Sequence, residues 1–115
     1  MKNNHIEFLS FSDGTLRLYE TDENDEIIPL KRKLYCFGER TIGVKRYYAA
    51  RQNDIELNKV IHIQRDNRVT TDLAAVIGRT RYKIEQVQHM SDSNPPSTVL
   101  SLSQVGLYEG EENVV

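Results

Sequence analysis

The sequence predicts a mainly β chain, a small β-barrel or sandwich of six to seven short antiparallel strands with one short helix. Short runs in which apolar and polar residues alternate recur along the chain. Turn-forming clusters such as Ser12-Asp13-Gly14, Asp66-Asn67-Arg68 and Gly78-Arg79 separate them at close spacing. Only one stretch carries helical spacing. Short strands with frequent turns are the pattern of a closed or doubled sheet.

In order, Ile6-Glu7-Phe8-Leu9-Ser10-Phe11 is strand-like and Thr15-Leu16-Arg17-Leu18-Tyr19 alternates cleanly. Asp13-Gly14 between them is a hairpin signal. Glu20 to Glu26 is an acidic loop, and Ile27 to Phe37 reads as extended, with Pro29 near an end or edge. Leu34-Tyr35-Cys36-Phe37 is apolar on both faces, which predicts a strand covered on both sides. The helix candidate starts at Thr41 as a cap and places Val44, Tyr47 and Tyr48 at helical spacing before Ala49-Ala50. Gly38 and Gly43 bracket it on one side and Asn53-Asp54 on the other, and Lys45, Arg46 and Arg51 make it basic.

Leu57 to Arg65 follows as a strand alternating at Ile61 and Ile63, and Leu73-Ala74-Ala75-Val76-Ile77 as an apolar strand ending at Gly78-Arg79. Thr80 to Glu85 sets Tyr82 and Ile84 on the core face against Arg81, Lys83 and Glu85. The alternation slips at Gln86-Val87, the mark of a bulge. Met90 to Ser97, with Pro95-Pro96, is a polar loop. Thr98 to Ser103 is the last strand, Leu100 and Leu102 facing inward, and residues 106–115 read as a tail.

The 115 residues fit one domain. Trp is absent and six Tyr outnumber three Phe, a composition that suits a subunit completing its burial against neighbours. The formal charge of -2 gives no overall attraction to nucleic acid or to an anionic membrane. Charge is unevenly distributed, however. Five acids (Glu20, Asp22, Glu23, Asp25, Glu26) stand without a base, and seven bases between Lys31 and Arg51 face only Glu39. Such asymmetry marks either contacts between copies or a pair of solvated loops. With Cys36 as the only cysteine, no internal disulfide forms, which fits synthesis in a reducing cytoplasm. The first residues lead into a strand and not into a signal-peptide apolar region, and no stretch approaches the roughly 20 apolar residues of a membrane helix.

Catalytic constellations are not legible. His5, His62 and His89 are far apart, so no metal site is expected. His62, between Ile61 and Ile63, reads as a surface or interface histidine, and Cys36 as a small core residue. The glycines give no phosphate loop. No enzymatic activity and no cofactor are expected. The one segment suited to nucleic acid is the basic stretch, where Tyr47 and Tyr48 beside Lys45, Arg46 and Arg51 could stack on unpaired bases.

The order of these features resembles the phage head–tail joining family, the head-closure or adaptor proteins of the virion neck. The resemblance lies in the hairpin start, the acidic loop, the strand ending Lys33-Leu34-Tyr35-Cys36-Phe37, and Tyr47-Tyr48 before Ala49-Ala50. It continues in Val60-Ile61-His62-Ile63 and in Gly78, Tyr82, Ile84 and Val87, which match the family's Gly-x-x-Tyr-x-Ile-x-x-Val run with one extra residue after the glycine. It covers roughly residues 15 to 105. The strand before Asp13-Gly14 looks like an addition, so residues 1–13 form an N-terminal arm. The resemblance implies a dodecameric ring in the neck of a tailed bacteriophage, made in the bacterial cytoplasm and carried in the virion. Its partners would be other copies of itself, a portal-side adaptor, a tail-terminator or tail-completion protein, and packaged double-stranded DNA held without sequence reading. Lys45, Arg46, Arg51, Tyr47 and Tyr48 would face the channel or a neighbouring ring. The alternative function is a small barrel that binds single-stranded nucleic acid.

Overall fold

The computed structural model describes residues 7–43, 49–52 and 56–109. The strands are β1 (Glu7–Phe8), β2 (Gly14–Thr21), β3 (Ile27–Arg40), β4 (Lys59–Gln64), β5 (Ala74–Ile77), β6 (Thr80–Met90), β7 (Ser93–Asn94) and β8 (Ser97–Leu107). Six of them close into an antiparallel barrel in the order β2-β3-β4-β8-β6-β5, and β1 pairs separately with β7. The expected mainly β fold is thus present, closed and not stacked as two sheets. Residues 49–52 are helical. The rest of the predicted helix, from Val44 to Tyr48, lies outside the described residues.

Period-two alternation builds the interior. Leu16 and Leu18 of β2, Phe37 of β3, Ile61 and Ile63 of β4, Tyr82 and Ile84 of β6, and Leu100 and Leu102 of β8 fill one cluster. A second, smaller cluster lies outside the barrel wall, where Tyr19, Ala74 and Val76 are covered by Ile27 and Tyr108. Tyr108 meets Tyr19 edge to face, ring centres 5.4 Å apart. The last strand runs through Gly106 and Leu107, so the chain expected as a tail begins as barrel wall.

The apolar strand ends at Gly78-Arg79 as expected, and these two residues form the turn of a β5–β6 hairpin. Ile77 pairs with Thr80, and Gly78 takes φ +61° at the first central position, which a side chain would strain. The slip at Gln86-Val87 is also present. Ile84 pairs with Leu102 and Gln86 with Ser101, leaving Glu85 as the extra residue of a bulge.

Several expectations fail for identifiable reasons. No hairpin forms at Asp13-Gly14. β1 instead runs parallel to β7, beside the cis Asn94–Pro95 bond, and Asp13 NH donates to Phe37 O as the chain enters β2. Gly14 is needed for space and not for a turn, since a Cβ there would come within 2.8 Å of the Phe37 ring. Cys36 is exposed and not a core residue. Among the described residues β3 is covered on one face only, so Tyr35 and Phe37 turn inward while Leu34 and Cys36 face out. His62 is buried and not on the surface. Its Nε2–H donates to Ser10 O at 2.7 Å, and Phe11 packs edge-on against the ring at 5.1 Å. Gly38 makes this possible, because a Cβ there would overlap both Ser10 O and the His62 ring.

Candidate interaction surface

The residues singled out by sequence divide into three groups. Lys45, Arg46, Tyr47 and Tyr48 lie outside the described residues. Arg51 is exposed on the helical stretch 49–52. Gly78, Tyr82, Ile84 and Val87 are structural: a turn glycine and three side chains packed in or against the interior. The bulge at Glu85 explains why Val87 follows Ile84 by three positions and still turns inward.

The most exposed apolar surface lies on β3, which sequence reasoning treated as covered. Tyr19 pairs with Arg32 but Thr21 pairs with Ile27, so Ile28–Lys31 arch away opposite Glu20. Leu30 stands on the crest of that arch, 96% exposed, and Leu34 further along is 58% exposed. A shallow groove runs beside them, lined by Leu18, Leu30, Tyr35, Val69 and Leu73, with Lys33 at its rim. Lys31, Arg32 and Lys33 make this strip basic. Lys31 sits 3.9 Å from Glu20, and both side chains are about three-fifths exposed, so water screens that pair strongly. Among the described residues, β4 pairs with β3 only at Gly38–Arg40, which leaves the edge of β3 before Gly38 without a ladder partner from that side.

A partly buried polar knot braces the inner side of the strip. Tyr35 Oη donates to Asp66 Oδ2 at 2.7 Å, and Arg68 donates from Nε and its backbone NH to Asp66 Oδ1, both at 3.0 Å. Asp66 NH donates to Thr98 Oγ1 at 3.0 Å, and the same hydroxyl is hydrogen-bonded to His89 Nδ1 at 2.9 Å. The Arg68 bonds, followed by that from Tyr35, hold the Asp66 carboxyl well below the usual carboxylate range against the opposing effect of burial. Burial, and then the bond to Asp66, push the Tyr35 phenol up to about 12. At neutral pH the knot therefore holds an ionised Asp66 carboxylate paired with the Arg68 guanidinium, and a neutral Tyr35 phenol. It ties β3 to the β4–β5 loop, β6 and β8. Sequence showed Asp66-Asn67-Arg68 only as a turn, since Tyr35 is too distant along the chain for any local pattern to connect them.

A second exposed apolar pair lies at the end of β8, where Val105 is 56% and Leu107 65% exposed, followed by the exposed Glu109. Among the described residues β4 reaches β8 only at Ser97–Leu102, so this end also extends past the shorter strand.

No group of three or more His, Cys, Asp or Glu side chains among the described residues is placed to hold a metal ion. Among the described residues the one buried histidine, His62, spends its Nε2–H on Ser10 O. No helix among the described residues is long and apolar enough to cross a membrane. No protein-family model matches the chain, and no curated protein matches it.

Proposed function

We propose that this chain is a structural subunit of the neck of a tailed bacteriophage, one copy in a ring that joins the DNA-filled head to the tail and helps retain the DNA. The supporting observation is the β3 strip: a closed barrel has little need of further burial, yet a long strand presents Leu30 and Leu34 beside three bases along an incompletely paired edge. Soluble chains seldom leave such a combination unpartnered. The resemblance to head–tail joining proteins supplies the setting. In that setting the partners are other copies of the chain, a portal-side adaptor and a tail-completion protein, and the role is assembly without catalysis. Lys45, Arg46 and Arg51 would rest against DNA phosphates or a neighbour's acids, contacts that carry charge but read no bases.

Negative-stain microscopy of the purified chain, alone and mixed with neck proteins encoded beside it, tests the reading. Rings are expected in at least one mixture. Monomers in every mixture, together with salt-sensitive binding of single-stranded DNA by the monomer, would overturn it in favour of a nucleic-acid-binding barrel. Replacing Lys45, Arg46 and Arg51 together with Ser is expected to leave the barrel folded while impairing DNA retention or tail joining in assembled particles.

A further inference from the structure

We infer that the described part of the N-terminal arm, residues 7–13, is exchanged between copies, each arm docking in the Gly38–His62 notch of the next barrel. The inference rests on the ring reading and names the contact that would link its subunits. The barrel closes without the arm: six strands in the order β2-β3-β4-β8-β6-β5 complete it, and β1 pairs only with β7, over two residue pairs.

The notch is built into the outer wall. Ile61 and Ile63 point inward, so His62 between them points out, opposite Gly38 in the β3–β4 ladder. His62 is nevertheless buried, with the arm lying over it. Its Nε2–H reaches Ser10 O at 2.7 Å, and Phe11 stands edge-on to its ring. Gly38 supplies the depth, because a Cβ there would overlap Ser10 O. Further out, Leu9 NH donates to Asn94 O at 3.1 Å. These hydrogen bonds end on arm backbone atoms, so the notch receives this extended segment on the same terms from either copy.

The arm can leave without disturbing β2. Asp13 is pinned to β3 twice, its NH donating to Phe37 O at 3.0 Å and its Oδ2 accepting from Glu39 NH at 2.7 Å. Ser12 before it is exposed, and rotation there swings residues 7–11 as one piece. Six extended residues reach about 20 Å, the radius within which a neighbour's notch must lie.

One side chain decides between the two notches. Phe8 is 77% exposed while the arm lies on its own barrel. In an exchanged arm it lies at the junction of two barrels, where the donor's wall covers it. A short tether favours the home notch in a dilute monomer, but a ring holds the neighbour's notch within the same reach. Burial of Phe8 then tips the choice. Donor arm and acceptor notch are different patches, so exchange runs head to tail and closes when the rotation between copies allows.

Cross-linking of the full chain in the ring-forming mixture tests this. With Cys36→Ser removing the native thiol, Ser10→Cys and Asn94→Cys place exposed thiols on the two sides of the docked arm. After reaction with a short bifunctional maleimide, arms at home give a monomer closed on itself under denaturing conditions. Exchanged arms give a covalent ladder of dimers and larger species, which is the result expected. Rings assembled from an equimolar mixture of the two single-thiol chains should likewise give a cross-linked heterodimer. Phe8→Ser should leave the thermal transition unchanged and weaken association roughly tenfold. The inference is overturned by rings whose arms cross-link only within one chain, or by Phe8→Ser chains that associate as the wild type does. Either result leaves the neck role standing; no rings in any mixture with neck partners would remove both.

Discussion

β8 and β3 are the two long strands flanking β4, and they are built differently. β8 is buried from Ser97 through Ser103 on both faces, bracketed by β4 and β6. Its inward side is Leu100 and Leu102. Its hydroxyls find partners on both sides: Ser97 with Ser93 at 3.0 Å, Thr98 with Asp66 and His89, and Ser103 with Glu85 at 2.6 Å. β3 is longer yet joins β4 at three residues only, arches opposite Glu20, and turns leucines toward water. One strand holds the barrel closed; the other is the face it offers. On the function proposed above, stability and interaction fall to separate strands, so substitutions on them should separate as well.

The largest expected effect is on the closing strand. Leu100→Ala removes a fully buried side chain from the barrel interior and should cost about 3 kcal/mol in denaturant unfolding. A loss below about 1 kcal/mol would show that β8 is not the centre of the core. Gly38→Ala comes next, at about 2 kcal/mol, because its Cβ must displace Ser10 O or the His62 ring. Faster proteolysis of the N-terminal arm should accompany that loss, and a variant as resistant as the wild type would argue against the His62–Ser10 latch.

Tyr35→Phe removes one hydrogen bond from the Asp66 knot, about 1 kcal/mol at neutral pH. Its pH dependence is more telling than its size. The raised phenol pKa contributes stability that is complete below the ordinary value near 10 and is lost as pH rises toward about 12. The lowered carboxyl pKa of Asp66 contributes stability that is complete above the ordinary value near 4 and is lost as pH falls below it. In Tyr35→Phe the alkaline part of that profile should flatten while most of the acid part remains, since Arg68 still holds Asp66. An unchanged alkaline limb would remove Tyr35 from the knot. The smallest effect is expected at Leu34→Ser, within about 0.5 kcal/mol, because the side chain is largely in water already. A large loss there would show that β3 is a second closing strand, and the contrast with β8 would fail.

Much of the barrel was legible because it follows local rules. Alternation placed Tyr82 and Ile84 inward, Gly78-Arg79 marked its turn, and the break after Glu85 announced the bulge. What escaped depends on partners distant in the chain. Asp13-Gly14 has hairpin chemistry, but Phe37, far along the sequence, uses the glycine for its ring and takes the entering strand. Four apolar residues from Leu34 to Phe37 look alike in sequence, and only the cover on one face of β3 decides which of them meet water. His62 sits in an ordinary alternating strand, and the carbonyl that buries it belongs to a residue beyond any local window. The interaction surface was the least legible part, since an exposed leucine and a core leucine are the same letter.

The bulge at Glu85 has a consequence for length variation. A strand normally forbids the loss of a residue, because everything downstream then swaps faces. Here the count is already one too many on β6: Ile84 lies opposite Leu102, Gln86 opposite Ser101 and Val87 opposite Leu100. Removing Glu85 would bring Ile84, Gln86 and Val87 into strict in-out-in succession against the same three partners. The interior would receive the same side chains, and only the bond from Ser103 would be lost. Deletion of a neighbour such as Lys83 instead brings Tyr82 and Ile84 into adjacent, opposite-facing positions. Glu85 is thus a place inside the wall of this barrel where the chain can change length by one residue and keep its reading of inside and outside.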